Sequence, residues 1–219
     1  MIPPSSRPIP RFIADAPQEG PPTGEFADRL AAEFRAACEP LFAEAGQDLD
    51  AGSLRWFPAR RWGGRTYVPV NARGIVPEGS EAGAVEFFGH VSYVHKSDGE
   101  DSHFAAKADF TDITVDDHPE WDIDFNDDVI GQWHGNPADG HSGDITLVWG
   151  SPLLPDGVMV TAELGDSLVD QTMLHDGRFT LIAVDALRGF IEPAYLEVIV
   201  WDGTLRRAVA RESLYDIDE

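Results

Sequence analysis

The chain has 219 residues and a formal charge of −23, with 39 acids against 16 lysines and arginines. So acidic a surface repels nucleic acid and anionic membrane over most of its extent, and a single cysteine, Cys38, excludes an internal disulfide and favours a reducing compartment. The length suits one substantial core, or one domain with an appendage; no stretch approaches the roughly 18 apolar residues of a membrane span, and MIPPSSRPIPRFIADAP lacks the apolar run of a signal peptide, so the expected location is the cytoplasm.

Residues 1–23 hold seven prolines. Proline fixes φ and removes a donor, so this segment is expected to be extended and outside any sheet interior. Two readings stay open: a tail without fixed structure, or an arm laid on a neighbouring subunit. Residues 24–50 follow as an amphipathic helix. Phe26, Leu30, Phe34, Cys38 and Phe42 recur every four residues, with Leu41 adjacent, while Glu25, Asp28, Arg29, Glu33 and Arg35 take the other faces. Pro40 predicts a kink or split near Glu39, and Gly46 a stop. Cys38 falls in the apolar stripe, which predicts a buried, inert thiol.

Residues 51–78 form a basic-aromatic segment leading into the sheet. RWFPARRWGGRTYVPVNAR, residues 55–73, carries Arg55, Arg60, Arg61, Arg65 and Arg73, with no acid between Asp50 and Glu78. Trp56, Phe57, Trp62 and Tyr67 are interleaved with them. Guanidinium forks grip carboxylate and phosphate at two points and stack on rings, and Arg and Trp are enriched at interface hot spots. The segment can therefore dock on the chain's own acidic strands, meet a protein partner or a second copy, or bind an anion or single-stranded nucleic acid. The acidic remainder argues against nucleic acid. Arg55, Trp56, Arg60, Arg61, Trp62 and Arg65 are the candidate partner-binding residues.

Residues 79–219 read as an antiparallel β domain. Candidate strands include AVEFFGHVSYVH, HFAAKADF, EWDIDF, DITLVW and VMVTAEL, with RTYVPV just before them, and no long helical pattern separates them. Asp-Gly pairs at residues 98–99, 139–140, 156–157, 176–177 and 202–203 mark tight turns. AYLEVIVW and TLRRAVARE around Asp202-Gly203 predict a hairpin with a two-residue loop, and QTMLHDGRFTLIAV repeats the pattern. The fold class expected is mainly β, an antiparallel sandwich or barrel that includes the jelly-roll type, preceded by the proline-rich arm and the kinked helix.

No motif fixes a reaction. Gly165-Asp166-Ser167-Leu168 spells the nucleophile block of an esterase family, but strand-like runs flank it and no Asp-x-x-His follows, so it predicts a hairpin turn. Residues 98–128 hold twelve acids against Lys107. Within them, Asp122-Ile-Asp124-Phe-Asn126-Asp127 resembles the start of a calcium loop, yet Asp127 stands where glycine is needed and Trp133 where a bidentate Glu is needed. Alternation of Trp121, Ile123 and Phe125 with Asp122, Asp124 and Asn126 predicts a half-buried strand with a solvated acidic face. His118-Pro119-Glu120 with His175 has the order of a two-His-one-carboxylate iron site, the one metal arrangement the histidines offer. Gly140-His141-Ser142-Gly143-Asp144 lacks the last glycine of a nucleophile elbow. No catalytic set, cofactor cradle or fixed metal cage emerges. The leading expectation is a non-enzymatic structural or protein-binding module, a subunit of a larger assembly built with a protein partner or by self-association; the rivals are a metal-dependent enzyme of the two-His-one-carboxylate type on a β scaffold and an anion or single-strand binder.

Overall fold

The four-residue apolar period produces a helix, α1 (Gly24–Cys38), in the computed structural model, which describes residues 9–80, 83–95, 101–138, 140–165, 167–190, 194–205 and 207–214. At Glu39–Leu41 the helix tightens into a 3-10 turn, resumes as α2 (Phe42–Ala45) and stops at Gly46 with φ of 67°. Pro40 has no N–H for the carbonyl four residues back, so the break falls where the sequence places it. Leu30, Phe34 and Cys38 are fully buried.

Three short strands, β1 (Asp48–Leu49), β2 (Arg55–Trp56) and β3 (Arg60–Trp62), lie end to end along one edge of β4 (Arg65–Ile75). β5 (Glu86–His95) pairs with the other edge of β4, and β6 (Asp101–Thr111) pairs with β5. The chain continues through β7 (Ile123–His134), β8 (Ser142–Pro152), β9 (Gly157–Leu164), β10 (Ser167–Met173), β11 (Phe179–Arg188), β12 (Leu196–Asp202) and β13 (Ala208–Ser213). A second sheet has the order β11-β8-β7 and a third β10-β9-β12-β13. Every pairing is antiparallel, so the mainly β class holds.

Two cores organise these sheets. α1 covers one face of the first sheet, where Leu30, Phe34 and Cys38 meet Val68, Val70, Phe87 and Val91. The second and third sheets share another core, a cluster that includes Leu147, Val148, Trp149, Leu181, Val160, Ala162, Val198 and Val200. Phe57 and Tyr67 from the first sheet enter that core. β8 is therefore buried through its middle on both faces, which explains its continuous apolar run, ITLVW. A boundary between residues 51–78 and 79–219 cuts through the first sheet, because β4 pairs with β5 from Thr66↔Tyr93 to Arg73↔Glu86.

The described part of the proline-rich segment lies on its own chain. Ile9 is buried, Phe12 N donates to Val169 O at 2.6 Å, and Asp15 N donates to Arg61 O at 2.7 Å. Glu19 and Ala59 exchange backbone hydrogen bonds at 2.8 and 2.9 Å. Residues 1–8 lie outside the described residues.

The turns differ in what they join. Gly165-Asp166 links β9 to β10 with Leu164↔Ser167 in register, the hairpin expected there, although Asp166 itself lies outside the described residues. β12 and β13 pair as expected, but the register Trp201↔Ala208 makes the loop longer than two residues. Asp202 Oδ1 accepts from Thr204 N at 3.0 Å, an Asx turn that diverts the chain before it can reverse tightly. Around Asp176-Gly177 only His175 and Arg178 bridge; the flanking strands then part into different sheets. Asp98-Gly99 and Asp139 lie outside the described residues.

Candidate functional site

β7 brings the acidic stretch against the first sheet. Its alternating residues Asp124, Asn126 and Asp128 face the side of β4 and β5 that carries Asn71, Glu86, Phe88 and His90. The acids expected on a solvated face are thus in a seam between two sheets. Asp124 is only 9% exposed and accepts from Arg55 Nη2 at 2.8 Å. Asp128 accepts from Lys107 and lies 3.2 Å from His90 Nδ1. Burial alone would raise the Asp128 carboxyl; His90 and Lys107 outweigh it and hold the group below the usual carboxylate range.

At one end the seam opens into a cleft of about 230 Å³, lined by Arg55, Asn71, Arg73, Glu86, Asp116 and Asp124 among others. An adjoining hollow of about 250 Å³ shares Glu86 and Asp124 and is walled by Phe88, Trp121 and Phe125. A relay of side chains fixes the floor. Trp149 Nε1 donates to Asn71 Oδ1 at 2.9 Å, and Asn71 Nδ2 donates to Glu86 Oε1 at 2.7 Å. Arg55 Nη2 also lies 4.0 Å from Glu86 Oε2, so both carboxylates address one guanidinium nitrogen. Burial first, and then the Asp124 carboxylate, push Glu86 up to about 7, against the pull of Arg55, Asn126 and Arg73.

The basic segment supplies the cations of this architecture. Arg55 takes Asp124; Arg73 takes Asp116 at 3.0 Å. Arg60 is 5% exposed, and its Nη2 donates to both oxygens of Asp170 at 2.6 Å. Arg61 reaches Glu19 at 3.3 Å and keeps its side chain 38% exposed. Arg65 donates to the Ser92 hydroxyl at 3.0 Å and to His103 O at 2.8 Å. Trp56 accepts from Arg178 at its carbonyl, 2.7 Å away. Trp62 lies over Gly131, where any side chain would meet its ring. The six candidate residues therefore do not form one open patch: Arg60 is interior, and the others are spread along β2 to β4.

Asn71, Glu86 and Trp149 were not singled out from the sequence. Two polar residues four apart in an apolar strand, Glu86 and His90 in EFFGH, which fall on one face, were the available signal. The metal candidates stay apart. His118 Nδ1 lies 2.9 Å from Glu120 and its ring stacks on Trp121, while His175 sits beside Asp176 at 3.4 Å. Among the described residues no group of three His, Cys, Asp or Glu is placed to hold a metal ion. Ser167 Oγ accepts from Arg11 at 3.2 Å. Burial pushes the Cys38 thiol up to about 12. No helix among the described residues is long and apolar enough to cross a membrane.

Comparison with known proteins finds no matching family, no matching curated protein and no matching solved structure.

Proposed function

We propose that the protein is a non-enzymatic structural or protein-binding module, working as a subunit of a larger assembly. The observation that carries this reading is the outer edge of β6. This eleven-residue strand ends the first sheet, and among the described residues no strand pairs with its outer side. An open edge of that length is a template for a strand from another chain. It has no proline, and its charged side chains are Asp101, Lys107 and Asp109, with one register shift in its pairing to β5. Phe104, Ala106, Ala108 and Phe110 pack into the α1 core, so the strand is held extended without its partner. With a chain charge of −23, a basic partner strand suits this edge better than a second copy. Arg61, Trp62 and Arg65 keep part of their side chains at the surface and are available to a neighbouring subunit.

Native mass spectrometry of the full chain, expressed in its own host, tests the reading. The expected result is a discrete complex containing a second chain, with β6 amides slowed in hydrogen exchange. A bare monomer, or a complex whose β6 amides exchange as in the free chain, refutes it.

A further inference from the structure

We propose that the cleft at Arg55, Glu86 and Asp124 is a binding site for a neutral, hydroxyl-rich ligand of the size of a single sugar residue. This site is separate from the β6 edge and does not rest on the assembly reading.

Charge comes first. Arg55 neutralises Asp124 and Arg73 neutralises Asp116. Burial and the neighbouring Asp124 hold the Glu86 carboxyl up to about 7, which weakens its charge near neutral pH. The cleft thus lacks the net negative charge that would select a hard cation, and also the net positive charge that would select phosphate.

Hydrogen-bonding capacity comes next. Asp124 is nine-tenths buried, yet among the described residues only its Oδ2 is engaged, by Arg55; no donor bonds Oδ1. Arg55 engages Asp124 through Nη2 and lies 5.3 Å from the centre of the Phe57 ring; among the described residues no hydrogen bond takes its Nη1 or Nε. A free carboxylate oxygen beside free guanidinium N–H groups offers an acceptor and donors side by side. Hydroxyls on neighbouring ring carbons answer that pattern, because each both donates and accepts. Glu86 adds a third group. Its Oε1 is tied to Asn71, which is 2% exposed and held by Trp149, so Oε2 is fixed in place and turned to Arg55. Groups held this firmly bind without a further ordering cost.

The walls complete the match. Phe88, Trp121 and Phe125 line the adjoining hollow and present aromatic surface to the apolar C–H face of a sugar ring. The two connected volumes, about 230 and 250 Å³, sit near the low end of small-molecule sites, roughly 300–1,000 Å³.

The test uses methyl glycosides of glucose, galactose, mannose and N-acetylglucosamine, titrated into the full chain and read by saturation-transfer NMR. Saturable binding by at least one of them is expected, with a dissociation constant of about millimolar. Asp124→Asn and Trp121→Ala should each weaken it about tenfold or more. Trp121 lies outside the strands, so its substitution keeps the test open if Asp124→Asn does not fold. Met173→Ala, at an exposed position on β10, should change nothing. Loss of saturation in either folded variant supports the site. Absence of saturable binding for all four glycosides, or binding untouched by both substitutions, overturns it.

Discussion

Replacing Asp170 with alanine is expected to destabilise the fold by about 3–5 kcal/mol, the usual cost of stripping one partner from a buried ion pair. The geometry says why. Asp170 is 1% exposed and binds Arg60 through both oxygens. The same carboxylate accepts from Ile182 N at 2.8 Å and from Gln171 N at 2.9 Å. It thereby joins β3 of the first sheet, β10 of the third and β11 of the second. Without it, the Arg60 guanidinium keeps only Ala16 O at 3.3 Å among the described residues, and the Ile182 amide loses its acceptor inside a core strand. Each orphaned group costs about 1–3 kcal/mol, the charged one more. For a chain of this size, 1 kcal/mol moves Tm by roughly 2–4 °C, so Tm should fall by about 10 °C. Urea and thermal titrations followed by tryptophan fluorescence measure this. The double variant Arg60→Met with Asp170→Leu should recover much of the loss, because no unpaired charge remains buried. The reasoning is refuted if Asp170→Ala stays within about 1 kcal/mol of wild type, the scale of an ordinary surface change, or if the double variant is as unstable as the two single losses combined.

Three further outcomes follow from single sites. Gly89→Ala should unfold the first sheet or weaken it by about 1–3 kcal/mol or more, since its methyl group would collide with the Lys107 carbonyl and lie 2.9 Å from Ala108 Cα; an unchanged urea midpoint would contradict this. Glu86→Gln should remove a pH effect. The folded-state pKa of Glu86 is raised, so its stabilising contribution is full below about 4.5 and is lost as pH climbs through about 7. Wild type should therefore lose on the order of 2 kcal/mol relative to Glu86→Gln across that window, and a flat difference in paired urea titrations would show that the group is solvated. Cys38, fully buried with its thiol pushed up to about 12, should resist Ellman's reagent at pH 8 in the native chain and react at once in urea.

The helix was legible up to its stop at Gly46 because each of its signals is local, an apolar period of four, a proline that removes one donor and a glycine that accepts positive φ, whereas the end of the 24–50 segment forms β1 instead. The strands were legible for the same reason, as alternation and turn residues. What they pair with was not. Asp176-Gly177 makes a tight reversal, with φ of 50° and 73°, yet β10 and β11 go to different sheets, because pairing is decided by which neighbour buries more apolar surface. Gly63-Gly64, with φ of 60° and 75° and Trp62 opposite Arg65, is a two-residue hairpin that the arginines around it drew attention away from. β1 to β3 are too short to carry a period of their own. They exist only because β4 offers them an edge.

The site was hidden for a different reason. Alternation along β7 tells that Asp124 and Asp128 share a face, but not whether water or another sheet covers it. Charge accounting comes closer. An acidic chain that gathers five arginines into residues 55–73, with no acid among them, has concentrated its cations in one stretch. Burying a carboxylate without a partner is too costly to persist, so acids that face inward need those cations beside them. Arg55 at Asp124 and Arg60 at Asp170 are that arrangement realised, while Arg73 and Asp116 pair at the surface. The same logic marks Glu86 as an exception, as it does Asp127, which burial and the neighbouring Asp185 and Asp128 push up to about 6. Glu86 shares Arg55 with Asp124 rather than owning a cation, and burial, with the Asp124 charge beside it, carries its carboxyl up to about 7 against the pull of that shared guanidinium. A group left half-neutralised at the floor of a cleft, with its neighbours locked by Trp149 and Asn71, is where a ligand has the most to gain by binding.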